Sequence, residues 1–385
     1  MKYDVIVVGG GIIGVMCAYS LVKSGQKVLL LEKGKIAQGT TSNSFAWANA
    51  TSKTTDQTYH QLNAAGLAGY HALKAEFGAQ ALGIKSGGSL QIATPSDEAG
   101  FQSLRDQAAA LATFGHAARW IETSELRRLE PNLAFEPDAQ ALFAPDDLCI
   151  DAPRFTRFMA DQIINLGGHI RENCAAQTLL ASDQGVVTGL TCDQGDLQTT
   201  NVLVTTGPDT NAVLATLTGY DGFNSGFPMG RVPGLLLTTP PVAPDLLGRL
   251  VYAAPSNEVH ILPELGGGIK IGADDMDGMV IEDQSDENLR RVGLLLLQRA
   301  ARLLPALGSV DIDTCNLGLG VRAYPTDGNA IAGQMPAAQG FYLVATHSGI
   351  TLAPAIGPLM AELIDTGQVP KMLNRFGLER FAGFA

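Results

Sequence analysis

The chain has 385 residues, enough for two domains of ordinary size, and its 46% hydrophobic, 17% charged composition is that of a globular protein with a large core. A net charge of −12 with no Lys/Arg-rich run argues against nucleic acid or an anionic membrane as partner, since both need clustered positive charge. The five cysteines, Cys17, Cys149, Cys174, Cys192 and Cys315, are scattered and form no C-x-x-C pair, which argues against a disulfide framework or a metal site and fits a reducing compartment.

Tyr3-Asp4-Val5-Ile6-Val7-Val8 predicts a buried strand that runs into Gly9-Gly10-Gly11-Ile12-Ile13-Gly14. An apolar helix follows, closed by Ser24-Gly25, and a second strand, Lys27 to Leu31, delivers Glu32 at its carboxyl end. Strand, GxGxxG, helix, strand and acid in this order are the parts of a dinucleotide-binding βαβ unit. Gly9 suits a tight turn, Gly11 lets backbone approach a pyrophosphate, and Gly14 lets helix and strand pack closely. The helix amino terminus, at Ile12 and Ile13, offers unpaired N–H groups to phosphate, and Glu32 with Lys33 stands where ribose contacts are expected. Lys2, the apolar stretch and Cys17 imitate a signal peptide, but Asp4 and the glycines interrupt it. No apolar run reaches the roughly 18 residues of a membrane span, so a cytoplasmic protein is expected.

Next comes a small, hydroxyl-rich loop, Gly39 to Ala50, in which Thr40, Thr41 and Ser42 could serve phosphate or ribityl oxygens and Phe45 and Trp47 are unusual for a plain surface loop. A helix is predicted from about Tyr59 to Phe77; Tyr59 and His60 could face a site or sit half-buried in the core. Ser89 to Ala93 reads as a strand, and Ser96-Asp97-Glu98 as the capped start of a helix to about Phe114. The βα rhythm stops here, placing a domain crossing near residue 86. A return near residue 142 precedes a helix at Phe155 to Leu166 and three short β runs, the last ending in Thr206-Gly207-Pro208, where Gly207 suits backbone approach to a cofactor.

From about Phe227 to Thr314 the texture is β-rich, with short strands around Leu235, Leu250, Val259 and Gly268 and an amphipathic helix from about Glu287 to Leu304 ended by Pro305. An antiparallel sheet capping the cofactor is expected. Residues 1–85, 142–220 and 318–385 are assigned to a discontinuous cofactor domain, and 86–141 and 221–317 to a substrate domain, giving an α/β fold.

The carboxyl-terminal segments Gly318-Leu319-Gly320-Val321-Arg322-Ala323-Tyr324-Pro325-Thr326-Asp327-Gly328 and Thr346-His347-Ser348-Gly349-Ile350-Thr351 add specificity. Together with the amino-terminal unit, they make the chain resemble the FAD-dependent D-amino-acid oxidase/glycine oxidase/sarcosine oxidase family from Tyr3 to about Gly367. The resemblance implies a Rossmann-like FAD-binding domain, an antiparallel substrate domain, and oxidation of a C–N bond next to a carboxylate with hydride passing to flavin. It places Ser348, Gly349, Ile350 and Thr351 against the flavin, where a helix amino terminus stabilises negative charge on the reduced ring. Arg322 stands where related oxidases keep a carboxylate-binding arginine, though Ala323 replaces their proline; its fork suits a bidentate clamp. His347 belongs to the flavin loop first and is an acid or base second. Lys270, in Gly268-Ile269-Lys270-Ile271-Gly272, resembles a lysine that promotes flavin oxidation by oxygen, while strand alternation alone would turn it to solvent. Sarcosine oxidases tether FAD through a cysteine near the position of Arg322, so non-covalent FAD is expected here. Trp47, Asn49, Tyr252 and His260 are pocket candidates.

The expected activity is oxidation of a small amino acid or N-substituted amino acid, with oxygen or a quinone as acceptor. The alternatives are a dehydrogenase serving a quinone or partner subunit, and a non-catalytic FAD-binding subunit of a hetero-oligomer; a homo-oligomer is equally open.

Overall fold

Val5–Val8 is four consecutive buried β-branched residues, the signature of a strand covered on both faces, and it lies at the centre of a six-stranded sheet. The computed structural model describes every residue except 1, 220–221, 223–225, 244, 254–257, 337 and 382–385. Val5–Val8 runs parallel to Val28–Leu31 on one side and Asn201–Val204 on the other. His169–Arg171 extends the first flank and Phe341–Ala345 the second, both parallel, and Ile331–Gln334 forms an antiparallel edge. This is the Rossmann-like sheet, assembled from four distant parts of the chain.

Four helices, Ile12–Lys23, Gln57–Phe77, Ala152–Asn165 and Gly349–Thr366, share one core on one face of this sheet. Ile12–Lys23 packs on Gly349–Thr366 so closely that a Cβ on Gly357 would come 2.6 Å from the Met16 carbonyl oxygen. Gln57–Phe77 packs on the same helix, where a Cβ on Gly66 would meet the Thr351 carbonyl oxygen at 2.0 Å. Asp56 starts Gln57–Phe77 two residues before the expected Tyr59, because its carboxylate accepts from the Thr58 and Tyr59 N–H groups. Gly349–Thr366 contains Pro354 and Pro358 in its interior. Pro354 has no N–H for the Ile350 carbonyl, and the Tyr70 hydroxyl donates to that oxygen instead, at 2.7 Å.

The second sheet has eight strands in the order Asn316–Pro325, Met229–Thr238, Ile269–Gly272, Val259–Pro263, Leu250–Ala253, Ser89–Ala93, Gln140–Ala144 and Arg119–Ile121. Its longest ladder runs from Met229 opposite Pro325 to Thr238 opposite Asn316. All neighbours are antiparallel except Leu250–Ala253 and Ser89–Ala93, which run parallel where the two chain segments that build the sheet meet. The amphipathic helix Asp286–Leu303, capped by Ser285, buries Val292, Leu296, Leu297 and Ala300 with Leu237, Ile261 and Ile271 of the sheet. Gln140–Ala144 and Asn316–Pro325 both belong to this sheet, so the chain leaves it after Ala144 and after Pro325, later than the boundaries at 142 and 318 set above. Among the described residues no helix is long and apolar enough to cross a membrane.

Candidate active site

A cavity of about 940 Å³ lies between the two sheets. At one end it is built almost entirely from backbone. Gly9 has φ 112°, and a Cβ there would lie 2.7 Å from the Thr205 carbonyl oxygen; a Cβ on Gly14 would lie 1.9 Å from the Gly9 carbonyl oxygen. Gly11 is different: only Thr41 Oγ1 lies near its missing Cβ, at 3.4 Å, and its other side opens on the cavity. The helix that follows has no side-chain cap at Gly11. Thr41 Oγ1 accepts the Ile12 N–H at 3.1 Å, which ties the hydroxyl loop to the helix start. Glu32 accepts the Gly10 and Gly34 N–H groups, each at 2.7 Å, so its first task is to hold the glycine turn; each oxygen keeps a lone pair for a ribose hydroxyl.

Other residues expected near the cofactor divide. Lys33 lines the rim and pairs with Asp209 at 2.6 Å, and Gly207, with φ 57°, lines the same end. Thr40 lines the cavity and donates to the Val321 carbonyl at 2.6 Å, fastening the loop to the large sheet. Ser42 does not line it: its hydroxyl donates to the Gln38 and Gly39 carbonyls and it borders a second, smaller pocket of about 280 Å³. The local turn takes up its hydroxyl.

Farther along, Ser348, Gly349, Ile350 and Thr351 bring a second helix amino terminus to the cavity, again without a side-chain cap. It stands beside the first: a Cβ on Gly349 would be 3.5 Å from Ile13 Cγ1. Thr351 Oγ1 accepts the Asn49 N–H at 3.1 Å and donates to the Trp47 carbonyl at 3.3 Å, coupling this helix to the Trp47–Ala48 strand. Two uncapped helix ends and an open glycine cradle in one elongated cavity fit a flavin dinucleotide, whose phosphates and electron-rich ring both seek N–H donors.

The far end is charged. Arg322 projects into it from the edge strand Asn316–Pro325, and its guanidinium is engaged within the chain: Nη2 donates to Asp277 and Nη1 to Asp274 at 3.3 Å, while Nε is buried without a partner. Burial raises the Asp277 carboxyl above its usual range against the pull of Arg322. Tyr252 and His260, opposite each other on neighbouring strands, stack at 5.2 Å, with Phe45 edge-on to the imidazole at 4.3 Å. The Tyr252 hydroxyl donates to Glu258, and burial pushes its pKa far above the ordinary value, so it stays protonated. Burial lowers His260 to about 4 and His347 to about 3, so both rings are neutral at physiological pH. Beyond burial, the positive charges of Lys53 and Arg322 also lower His347. The neutral His347 ring stacks on Tyr324 at 4.6 Å with Nδ1 unpartnered. Asn49 lines the cavity but spends its side chain on its own loop, accepting from the Ser52 N–H and hydroxyl.

Lys270 lies elsewhere. Its ammonium pairs with Glu264 at 2.7 Å, donates to the Ser44 carbonyl at 3.2 Å and lines the smaller pocket, not the large cavity. Register puts Lys270 on the same face of the sheet as His260, with Ile269 and Ile271 in the core behind, but it sits farther along that face, opposite Leu262, where Glu264 satisfies its charge.

Sequence reading missed Lys53, Asp274 and Asp277 in the cavity wall and Asp147 behind it. Asp147 is 1% exposed; it accepts from Ser89 at 2.6 Å and from Trp47 Nε1 and Thr51 at 3.0 Å, and burial pushes its carboxyl up to about 7. His60 is buried, with Nδ1 3.1 Å from the carbonyls of both Ala50 and Lys53. Asp147 and His60 together fix the loop from Trp47 to Lys53. Short polar stretches such as Asp146-Asp147 and Ser52-Lys53 carry no periodic signal that marks them as buried or functional.

Comparison with known proteins agrees with this geometry. The model of the family described as FAD dependent oxidoreductase (DAO) matches residues 4–363. Glycine oxidase of Geobacillus kaustophilus is 27% identical over 99% of this chain and 98% of its own, and its crystal structure superposes with a TM-score of 0.83 at 25% identity, covering 99% of this chain and 100% of that one. One of the subunits of the opine oxidase of Agrobacterium tumefaciens is 24% identical over 99% of this chain and 98% of its own. The chain belongs to the FAD dependent oxidoreductase family. Within it, the protein is an FAD-dependent amine or amino-acid oxidoreductase with a non-covalent cofactor. Of its five cysteines, Cys174 alone lines the large cavity, alongside Glu32 and Lys33 rather than among the substrate-end residues.

Proposed function

We propose that the protein oxidises the C–N bond of a small amino acid or N-substituted amino acid, yielding an imine that water hydrolyses to a keto acid. One observation carries this reading: the cavity that joins two uncapped helix ends continues into a chamber holding two cations, Arg322 and Lys53, and a neutral histidine, His347. Bound FAD supplies the acceptor for the hydride that leaves the α-carbon. The chain's own residues orient the substrate and shape the field around it. A cation meets the carboxylate, the walls formed by Tyr252, His260 and Phe45 exclude water, and the Gly349 helix end favours negative charge beside it. The substrate amine's proton leaves to solvent or to a carboxylate such as Asp274.

The acceptor of the electrons is a second question. Lys270 was the residue expected to favour oxygen, and its ammonium is held by Glu264 outside the cavity. This supports a dehydrogenase serving a quinone or partner subunit over an oxidase, and the likeness to one chain of a multi-subunit opine oxidase supports assembly with a second chain. The five free cysteines support a cytoplasmic location.

The test is the visible spectrum of the holoprotein under argon during addition of D-, L- and N-alkyl amino acids. Bleaching by one class is the expected result and identifies the substrate; slow recovery on admitting air identifies a dehydrogenase. Flavin that no amine reduces overturns the reading in favour of a non-catalytic role.

A further inference from the structure

We infer that Lys53, and not Arg322, is the anchor for the substrate carboxylate; this rests on the proposed amino-acid substrate and deepens it. Both cations line the chamber and both act on His347, so they stand at the same end of the cavity. Their partners differ. Arg322 spends Nη1 on Asp274 and Nη2 on Asp277, the two donors that a bidentate clamp would use. A substrate carboxylate arriving at Arg322 would have to displace a carboxylate covalently held in the same wall, or sit beside two negative charges. Lys53 is half-buried in the wall, and among the described residues no carboxylate comes within ion-pair distance of its ammonium. Asp274 is the acid that acts on it, and that acid is already engaged by Arg322. A desolvated ammonium with no anion is costly, and an anionic ligand relieves that cost.

The backbone around Lys53 is built to hold it. His60 lies 3.1 Å from the Lys53 carbonyl, the Lys53 N–H donates to the Ala50 carbonyl at 3.1 Å, and Asp147 fixes Thr51 and Trp47. The arrangement also sorts the rest of the ligand. With the carboxylate on Lys53, the exposed Asp274 lies nearby to receive a cationic amine, so the chamber selects a substrate bearing both charges at short separation. Asp277, Arg322 and Asp274 then form a fixed ion-paired wall that positions this acid.

The experiment uses the FAD-loaded protein and acetate as carboxylate probe, read by the change in the flavin spectrum on binding. In Lys53→Met acetate binding falls about tenfold to a hundredfold, the loss of one charge-assisted contact, and in Lys53→Arg it stays within about threefold of the parent. Should Lys53→Met lose FAD, Lys53→Gln replaces it with the same expectation. Acetate binding that is unchanged in a yellow Lys53→Met or Lys53→Gln protein overturns the inference. If acetate binding depends on Lys53 while no amino acid bleaches the flavin, the anchor stands and the proposed substrate class falls. If amino acids bleach the flavin equally well in parent and variant, the substrate class stands and the anchor falls.

Discussion

The two ends of the cavity solve opposite problems. The nucleotide end uses backbone: Gly9, Gly11 and Gly14 remove side chains so that N–H groups reach the ligand, and Glu32 serves the turn itself. The substrate end uses side chains, and most of their charge is balanced inside the protein before any ligand arrives, with Arg322 between Asp274 and Asp277. The first arrangement leaves no room for an added atom at Gly9 or Gly14, whereas the second tolerates shape changes but not a change of charge. A ligand common to many proteins is met by fixed geometry; a ligand particular to this one is met by an adjustable set of charges.

Substitutions can break this contrast, beginning with the largest effect. Gly14→Ala drives a methyl into the Gly9 carbonyl and should cost at least about 3 kcal/mol, with FAD lost on gel filtration. A yellow, stable variant would show that the turn is not as tight as described. Arg322→Leu leaves Asp277 and Asp274 facing each other without a cation. Because these groups are partly solvated, the expected cost is about 2–3 kcal/mol in urea denaturation, partly restored by adding Asp277→Asn. If Asp277→Asn instead deepens the loss, charge balance is not what Arg322 provides.

Tyr70→Phe tests the wall between the two ends. It removes the donor that serves the Ile350 carbonyl freed by Pro354, and about 1–2 kcal/mol of stability should go with it. For Asp147 the expected effect is visible as a slope. Its folded pKa, about 7, lies above that of an unfolded aspartate, so its contribution is present at low pH and is lost as pH rises from about 4 to about 7. Asp147→Asn should flatten that segment of a plot of urea midpoint against pH; an unaltered slope removes Asp147 as its source. Smallest of all is Lys270→Met, which should change flavin reoxidation by oxygen by less than about twofold, since the ammonium lies outside the cavity. A large drop would return Lys270 to the flavin.

The same contrast explains what the sequence made legible. The nucleotide end is local: strand, glycines, helix and acid follow one another from Val5 to Glu32, and spacing alone identifies them. The substrate end joins a loop lysine at 53, a turn at 274–277, an edge-strand arginine at 322 and a loop histidine at 347, and nothing in the spacing of these residues reports that they meet. Arg322 and His347 were found because they sit in motifs shared with a family; Lys53 and Asp277 sit in none. Lys270 shows the limit of composition: a lysine between two isoleucines is indeed largely buried, yet which loop takes up its charge depends on the pairing of Ile269–Gly272 with Met229–Thr238 and Val259–Pro263, which sets it beside Glu264. Asp147 was invisible for the converse reason, since a pair of aspartates in a turn reads as solvated surface.

The central strand Val5–Val8 has consequences for when the protein becomes an enzyme. On a ribosome the nucleotide motif emerges before its sheet is complete: Asn201–Val204 follows Glu32 by about 170 residues, and Phe341–Ala345 arrives much later. The helix that packs on Ile12–Lys23 and supplies the second N–H cluster, Gly349–Thr366, emerges later still. A nascent chain therefore displays a glycine turn with nothing to complete it, and cofactor loading waits until synthesis has passed this helix. Flavin thus acts on chains that already carry this helix.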